Sequence, residues 1–266
     1  RRDRGAGGVL FSPVLLFLLP GLLYNGKNSS AAKGEPLMDQ IFSMRPIARI
    51  HSDFSTKFGI PRQSGLVDAL TATVVFEPEF RNPDALRGIE GFSHIWLIWA
   101  FDQSVRQGWS PTVRPPRLGG NAKMGVFATR SPFRPNPIGL SSVRLEAVEQ
   151  TPDHGTVLHV RGADLMDGTP ILDIKPYIPY GDAHPDAVGG FASAPAGPTL
   201  EVQIPPELLE KVPEDRREAL QQVLSLDPRP HYQSDPERVY GFGFAGLEVR
   251  FSVSEGVLTV REILRP

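Results

Sequence analysis

A small, mostly antiparallel β-barrel followed by an α+β appendage, mainly β and α+β overall, is the fold this sequence predicts. Three observations carry that expectation. Short runs rich in β-branched and aromatic residues recur between Pro and Gly breaks from Met44 onward. No repeating strand–helix alternation is present, which argues against a doubly wound sheet. Helical spacing with a leading proline enters only after residue 199.

The first run, Arg45 to His51, alternates apolar and polar residues. Thr71 to Phe76 is β-branched. His94 to Phe101 is a nearly continuous apolar run, short enough to be a buried strand. Trp96 and Trp99 lie three apart in it, so an extended chain turns them to opposite faces, and at least one is expected in the core. His94 opens the same run and is expected as a satisfied core residue. Further strands are expected over Gly125 to Thr129, Ser142 to Glu149, Thr156 to Arg161 and Pro170 to Lys175. Short strands at this spacing suit a barrel or sandwich.

Ala183 to Pro198 is rich in Ala, Gly and Pro and reads as a linker. Beyond it, Pro205 to Val212 and Glu214 to Leu224 carry helical spacing, and Tyr240 to Phe244, Leu247 to Val253 and Val257 to Ile263 read as strands. The expected organisation is a barrel domain over 41–180, a linker over 181–198 and a C-terminal α+β domain over 199–266. Gly241 to Gly246 matches G-x-G-x-x-G letter for letter, but a strand pattern follows it. A dinucleotide site needs a helix there, so this segment is expected to be a hairpin.

Residues 1–37 differ from the rest. Arg1, Arg2 and Arg4 precede an interrupted apolar stretch from Val9 to Leu23, which has the layout of an export signal but is too short for a confident membrane span. The chain starts with Arg, and its first Met is Met38. Residues 1–37 are therefore expected to be non-native or upstream-translated sequence. A true export signal is the alternative.

The composition narrows the chemistry. The 266 residues contain no cysteine, which excludes disulfides, thiolate zinc sites and cysteine nucleophiles. The six histidines show no metal-ligand spacing, so no metal is expected. Net charge is −2, yet from Gln103 to Arg144 there are seven cations and no Asp or Glu. Such a segment is the footprint of a polyanion partner, or else a solvated loop whose carboxylates come from elsewhere. Trp109 lies within it, placed either to stack on a base or to cap the core.

The densest signal is Arg130 to Ser141. Ser131, Arg134 and Asn136 each precede a proline, which disfavours helix at all three. Pro132, Pro135 and Pro137 fix their own φ. A stiff, extended loop presenting polar side chains is expected, with Arg130 and Arg134 offering planar forks to phosphate or carboxylate and Gly139 allowing a sharp exit into the next strand.

This loop, together with Pro61 to Gln63, Arg87 to Trp96, Arg114 to Gly120, Met124 to Arg130 and Asp167 to Tyr177, resembles the TrmO (TsaA-like) family of tRNA methyltransferases. The resemblance is dense from Ile47 to Tyr180 and weaker through Asp227 to Tyr232. It implies a barrel that binds S-adenosylmethionine, a cytoplasmic homodimer, and methylation of N6 of threonylcarbamoyl-adenosine at tRNA position 37. It also implies cofactor contacts at Pro61, Arg62 and Gln63, at Asp102 and Gln103, at Arg130 and Leu140, and at Arg161, Gly162, Ala163 and Asp164. Asp102 stands where relatives can carry His, so a main-chain contact suffices there.

The acceptor nitrogen shares its lone pair with a neighbouring carbonyl, so a base or a stabilising cation should help. Asp173 is the candidate base, with Lys175 and Tyr177 as positioners and Asn136 as a hydrogen-bonding partner for the modified base. The alternation Asp-Ile-Lys equally allows a solvent-facing internal ion pair. Arg106, Arg114, Arg117, Lys123 and Arg134 are the candidate RNA contacts. Two other functions fit the same residues: a non-catalytic RNA-binding module, and an exported barrel that binds a small ligand.

Overall fold

Strand β1 (Ala48–His51) pairs antiparallel with β2 (Thr71–Phe76), setting Ala48 opposite Phe76 and His51 opposite Thr73. The structure, a computed structural model, describes residues 42–104, 109–193, 199–229 and 235–265. The expectations for residues 1–37, Arg106, the end of the linker, and His231 and Tyr232 fall outside them. Met44–Pro266 forms one compact unit.

Strand β3 (His94–Ala100) leads into a two-stranded ribbon, β4 (Thr112–Val113) and β5 (Met124–Gly125). Then come β6 (Ile138–Thr151), β7 (Gly155–Arg161) and β8 (Pro170–Pro176). Six of these strands close a barrel in the order β1-β2-β7-β6-β3-β8, every pairing antiparallel. Closure is short: Ala48 meets Ile171 and Arg49 meets Pro170. The expected antiparallel barrel is the one observed.

Alternation places the core. Ile95, Leu97 and Trp99 of β3 are buried with Val74, Val143, Leu158 and Ile171, whereas Trp96 and Ile98 turn outward. The two tryptophans face opposite sides, as period-two geometry requires. His94, in contrast, is exposed at the start of β3, where its Nδ1 meets Ser93 Oγ at 3.0 Å. His94 shares the outward parity of Trp96 and Ile98, so the alternation itself turns it to solvent.

A short helix α1 (Pro179–Asp182) follows the barrel; its Asp182 accepts from the Ile178 amide at 2.8 Å and from Trp96 Nε1–H at 3.0 Å. The C-terminal part holds β9 (Glu201–Gln203), α2 (Pro206–Leu209), α3 (Glu214–Ser225), β10 (Tyr240–Phe244), β11 (Leu247–Ser254) and β12 (Val257–Leu264). Its sheet order is β10-β11-β12-β9, with β9 parallel to β12. The G-x-G-x-x-G segment is the β10–β11 hairpin, as its following strand pattern predicts.

A second core joins this sheet to the barrel. Leu220, Val223 and Leu224 of α3 pack with Phe242, Phe244 and Phe251, and with Phe54, Val67 and Leu70 from the β1–β2 connection. Arg216 on α3 adds an ion pair, its Nε lying 3.0 Å from Asp53 Oδ2. Burial raises the Asp53 pKa above the usual carboxylate range, and Arg216 opposes the rise.

Arg216→Ala would leave that carboxylate without its cation. The expected loss is about 2 kcal/mol, below the 3–5 kcal/mol of a fully buried pair because the arginine keeps some exposure. The sign with pH follows from linkage. The folded state holds the Asp53 proton more tightly than the unfolded state, so the burial cost is present above the folded pKa and relieved below it. Urea unfolding should therefore show a wild-type advantage that is widest near neutral pH and narrows toward acid.

Candidate functional site

Because all barrel pairings are antiparallel, three connections emerge at one rim: β1 to β2, β3 to β6, and β7 to β8. The first carries Pro61, Arg62 and Gln63. The second carries Asp102, Gln103 and the whole basic, proline-rich segment. The third carries Gly162, Ala163 and Asp164. Residues far apart in sequence thus meet at one barrel mouth.

The 61–63 turn owes its position to the C-terminal sheet. Phe58 makes an edge contact with Phe242 at 6.4 Å between centroids, and Ile60 packs on the same core. Gly59 passes so close to Phe242 that an added Cβ would lie 2.4 Å from the ring. The Gly65 amide then donates to Gly162 O at 2.9 Å, joining this loop to the β7–β8 connection. Pro61 is buried, and the Gln63 amide nitrogen donates to Arg62 O.

Asp164 is the electrostatic centre. Ser141 Oγ–H donates to its Oδ1 at 2.6 Å, and Trp99 Nε1–H donates to Ser141 Oγ at 3.0 Å. Burial raises the Asp164 pKa, opposed by the Ser141 bond, the Ser64 amide and the nearby Arg130 guanidinium. Arg130 also donates from Nη1 to Gln63 Oε1. Gln63, Arg130, Ser141 and Asp164 therefore form one connected cluster.

Arg62 lies beside it. Although much of the residue is exposed, desolvation lowers its guanidinium pKa; neighbouring Asp227 opposes this and Arg117 adds to it. Asp227 sits in the left-handed region at φ 52° and grips Arg229 through both carboxylate oxygens, at 2.8 and 2.9 Å. The C-terminal part thus brings a carboxylate to the edge of the mouth.

The other expected residues divide. Asp102 and Gln103 occupy a 3-10 turn after β3, tied to the proline-rich loop by the Phe101 amide on Pro137 O at 2.9 Å. Arg161 is held by Glu146, 2.8 Å from its Nε, and the Gly162 amide is held by Leu70 O. Of the 161–164 stretch, Asp164 alone aims an ionisable group into the cluster. Leu140 is exposed on the outer face, in one cross-strand row with Ile98 and Asp173. Lys175 Nζ pairs with Asp173 Oδ2 at 2.8 Å, the internal ion pair that alternation allowed. Tyr177 packs on Trp96 and His94 at the far end of β8, four residues and about 13 Å of strand beyond Asp173. It is not brought to the mouth.

Two expectations about the loop need correction. Residues 130–137 are a series of bends rather than an extended run, with the Arg134 amide on Pro132 O and the Ile138 amide on Asn136 O. Gly139 is not a turn: β6 has already begun at Ile138, and Gly139 lies flat against the Trp99 ring. The expected strand over Gly125 to Thr129 is a two-residue bridge and then a 3-10 turn over Val126–Ala128, closed by the Thr129 amide on Val126 O. Arg114, Lys123 and Asn136 are exposed near these bends, while Arg134 donates to Thr129 O at 3.3 Å.

Sequence reasoning missed Ser141, Ser64 and Asp227. Ser141 had a signal: with Gly139 and Val143 it shares the inward parity of β6, where a hydroxyl needs a partner. Among the described residues no group of His, Asp and Glu could hold a metal ion, and no helix is long and apolar enough to cross a membrane.

Residues 49–183 match the profile of the tRNA-methyltransferase O N-terminal domain, and residues 197–266 match the TrmO C-terminal domain. The chain is 43% identical to the tRNA (adenine(37)-N6)-methyltransferase of Escherichia coli K12, over 80% of this chain and 94% of that one. It is 44% identical to a putative S-adenosylmethionine-dependent methyltransferase, RcsF, of Pseudomonas aeruginosa, over 79% of this chain and 91% of its relative. A crystal structure of TrmO from P. aeruginosa superposes with a TM-score of 0.71 at 36% identity, covering 87% of this chain and 100% of that one. With both domain profiles matched in order and a close relative spanned almost end to end, the chain belongs to the tRNA-methyltransferase O family.

Proposed function

We propose that this chain is an S-adenosylmethionine-dependent tRNA methyltransferase that methylates N6 of threonylcarbamoyl-adenosine at position 37, beside the anticodon. The observation that carries the proposal is the rim cluster of Gln63, Arg130, Ser141 and Asp164, flanked by Arg62 and opening from a basic loop. Family membership, and relatives named tRNA (adenine(37)-N6)-methyltransferase, support the position and the nitrogen of this reading.

The cluster suits the cofactor's chemistry. A carboxylate kept at a half-buried position, beside a hydroxyl, two main-chain amides and a guanidinium, is suited to a cationic partner. Arg62 and Arg130 can fork onto a carboxylate. When bound, S-adenosylmethionine supplies a methyl group activated by its sulfonium charge. The protein's part is to hold donor and acceptor in line at roughly 3–3.5 Å, where positioning does much of the work. Asp102 and Gln103 flank the mouth from the β3 side, and Leu140 approaches it along β6.

Asp173 is the base assigned to take the N6 proton onto its carboxylate, with Lys175 steadying the negative charge left on the acceptor. Its row-mate Leu140 lies two strand spacings away, about 10 Å, so this one cofactor candidate shares the outer face with the base candidate. Asn136, on the exposed bend, is available to the modified base. Arg106, Arg114, Arg117, Lys123 and Arg134 are assigned to the RNA backbone. The barrel domain over 41–180 does the chemistry, and the 199–266 domain props the 61–63 turn. A cytoplasmic homodimer is part of the proposal and rests on the family resemblance alone.

The test mixes purified protein, methyl-labelled S-adenosylmethionine and bulk tRNA from cells lacking the gene, then follows label through nucleoside digests. Label is expected in a threonylcarbamoyl-adenosine derivative and absent from an unmodified transcript. Equal labelling of the transcript would overturn the substrate. No label at all, with RNA still bound, would leave an RNA-binding module.

A further inference from the structure

Two aromatic side chains at this rim have no part in the cofactor cluster. Trp109 is 53% exposed and Phe127 is 73% exposed, and their rings lie together at 6.1 Å between centroids with 30° between planes. Large aromatics bury 150–250 Å² each when packed, so two left in solvent side by side mark a contact surface rather than a core.

The local structure fixes the pair in place. The β4–β5 ribbon sets Thr112 opposite Gly125, and the Val126 amide extends the pairing by donating to Pro111 O at 2.9 Å. Continuing that register would set Ser110 opposite Phe127, one residue along from Trp109, which leaves the two rings within reach of each other. Ser110 locks the entry by donating to Thr112 O at 2.8 Å, and the 3-10 turn over Val126–Ala128 buries Val126 while leaving Phe127 outside. The rings are thus held by main-chain bonds at their own base.

Charge indicates what covers them. The ribbon lies in the stretch from Gln103 to Arg144 that has seven cations and no carboxylate. Exposed Arg114 and Lys123 flank the ribbon's own loop, and Arg130 follows Phe127 by three residues. An apolar π-surface in a cationic setting fits an anion-bearing partner with flat, unpaired rings: single-stranded nucleic acid. A duplex hides its base faces, so a loop is the occupant that uses the platform.

We infer that Trp109 and Phe127 form a stacking platform for an unpaired base of the tRNA loop, next to the base being modified. This rests on the function proposed above and adds a binding subsite to it. Stacking is tolerant of base identity, so the platform orients the loop while the cations supply the salt-sensitive attraction.

The experiment measures affinity of the full chain for a fluorescent anticodon stem-loop bearing threonylcarbamoyl-adenosine, across a salt series, for wild type, Trp109→Ala, Phe127→Ala and Trp109→Phe. Each alanine variant is expected to weaken binding by roughly 10-fold or more, the range of one lost base–aromatic stack. The slope of log affinity against log salt should not change, because no phosphate contact is removed. Trp109→Phe should recover most of the loss. Affinity for S-adenosylmethionine, read by calorimetry, should match wild type in all three.

Unchanged RNA affinity in both alanine variants overturns the platform while sparing the methyltransferase assignment. Loss of S-adenosylmethionine affinity in parallel with RNA affinity would make the pair a structural prop. A dimer-to-monomer shift in sedimentation would make it a contact between copies of this chain. A wild-type chain that binds no stem-loop sinks both the platform and the function on which it rests.

Discussion

Gly139→Ala is expected to destabilise the chain by about 3 kcal/mol or more and to impair cofactor binding with it. An added Cβ would lie 2.2, 2.4 and 2.5 Å from Cε2, Cζ2 and Cδ2 of Trp99, distances at which something must move. The obstacle is space, since Gly139 holds an ordinary strand conformation opposite Trp99 in the β6–β3 register. Trp99 cannot yield easily: it is buried, packs on Phe101 at 4.2 Å, and donates to Ser141 Oγ. Overpacking costs about 1–3 kcal/mol, and a buried donor left without a partner costs about 1–3 kcal/mol more. Ser141 would then lose the contact that orients its hydroxyl toward Asp164. Urea denaturation measures the first effect and calorimetry with S-adenosylmethionine the second. The double variant Gly139→Ala with Trp99→Phe separates them, because phenylalanine lacks the ring that collides but also lacks the indole N–H. Stability should return further than affinity. A single variant as stable as wild type would show that the close approach of strand and indole is not a constraint.

That close approach illustrates what could and could not be read from sequence. Strand β3 was legible because a short, nearly continuous apolar run such as His94 to Phe101 is a local property, and the period of an extended chain assigned Trp96 and Trp99 to opposite faces correctly. The β10–β11 hairpin was legible for the same reason, from the strand pattern after its glycines. Gly139 was misread because a glycine after Pro137 suggests a turn, whereas its real neighbour lies 40 positions earlier on another strand. Ser141 and Asp164 are 23 residues apart and joined only through closure of the barrel. Gly59 and Phe242 come from the two ends of the chain, so the support of the Pro61–Gln63 turn was invisible locally. The identities of Pro61, Arg62, Gln63 and Arg130 as a set came from family resemblance. What the structure adds is the physical reason: three antiparallel connections reach one rim. His94 failed because a nearly continuous apolar run hides which parity faces out, and the 125–129 segment failed because a two-residue bridge gives way there to a 3-10 turn.

The second large effect is expected at Arg130. Arg130→Ala should weaken S-adenosylmethionine binding by about 100-fold, the product of losing one or two hydrogen bonds to a charged group at about 1.5–3 kcal/mol each, and leave the thermal midpoint close to wild type. The second half follows from exposure: Arg130 is exposed and donates to Gln63, another rim residue, and it belongs to neither hydrophobic core. The first half follows from two roles the guanidinium holds at once. It fixes the Gln63 side chain, and it offers the remaining face of a planar fork to an incoming carboxylate. Its charge also favours ionised Asp164; without it, the carboxylate shifts further toward its neutral form and attracts a sulfonium less. Arg130→Lys is the discriminating control. It restores the charge beside Asp164 but not the fork, so recovery should be partial, whereas a purely electrostatic role predicts full recovery. Calorimetry and thermal shift on the same samples decide between the two. Unchanged affinity in Arg130→Ala, with the fold intact, would move the cofactor away from this mouth altogether, because Arg130 links the Gln63 turn to the Asp164 carboxylate.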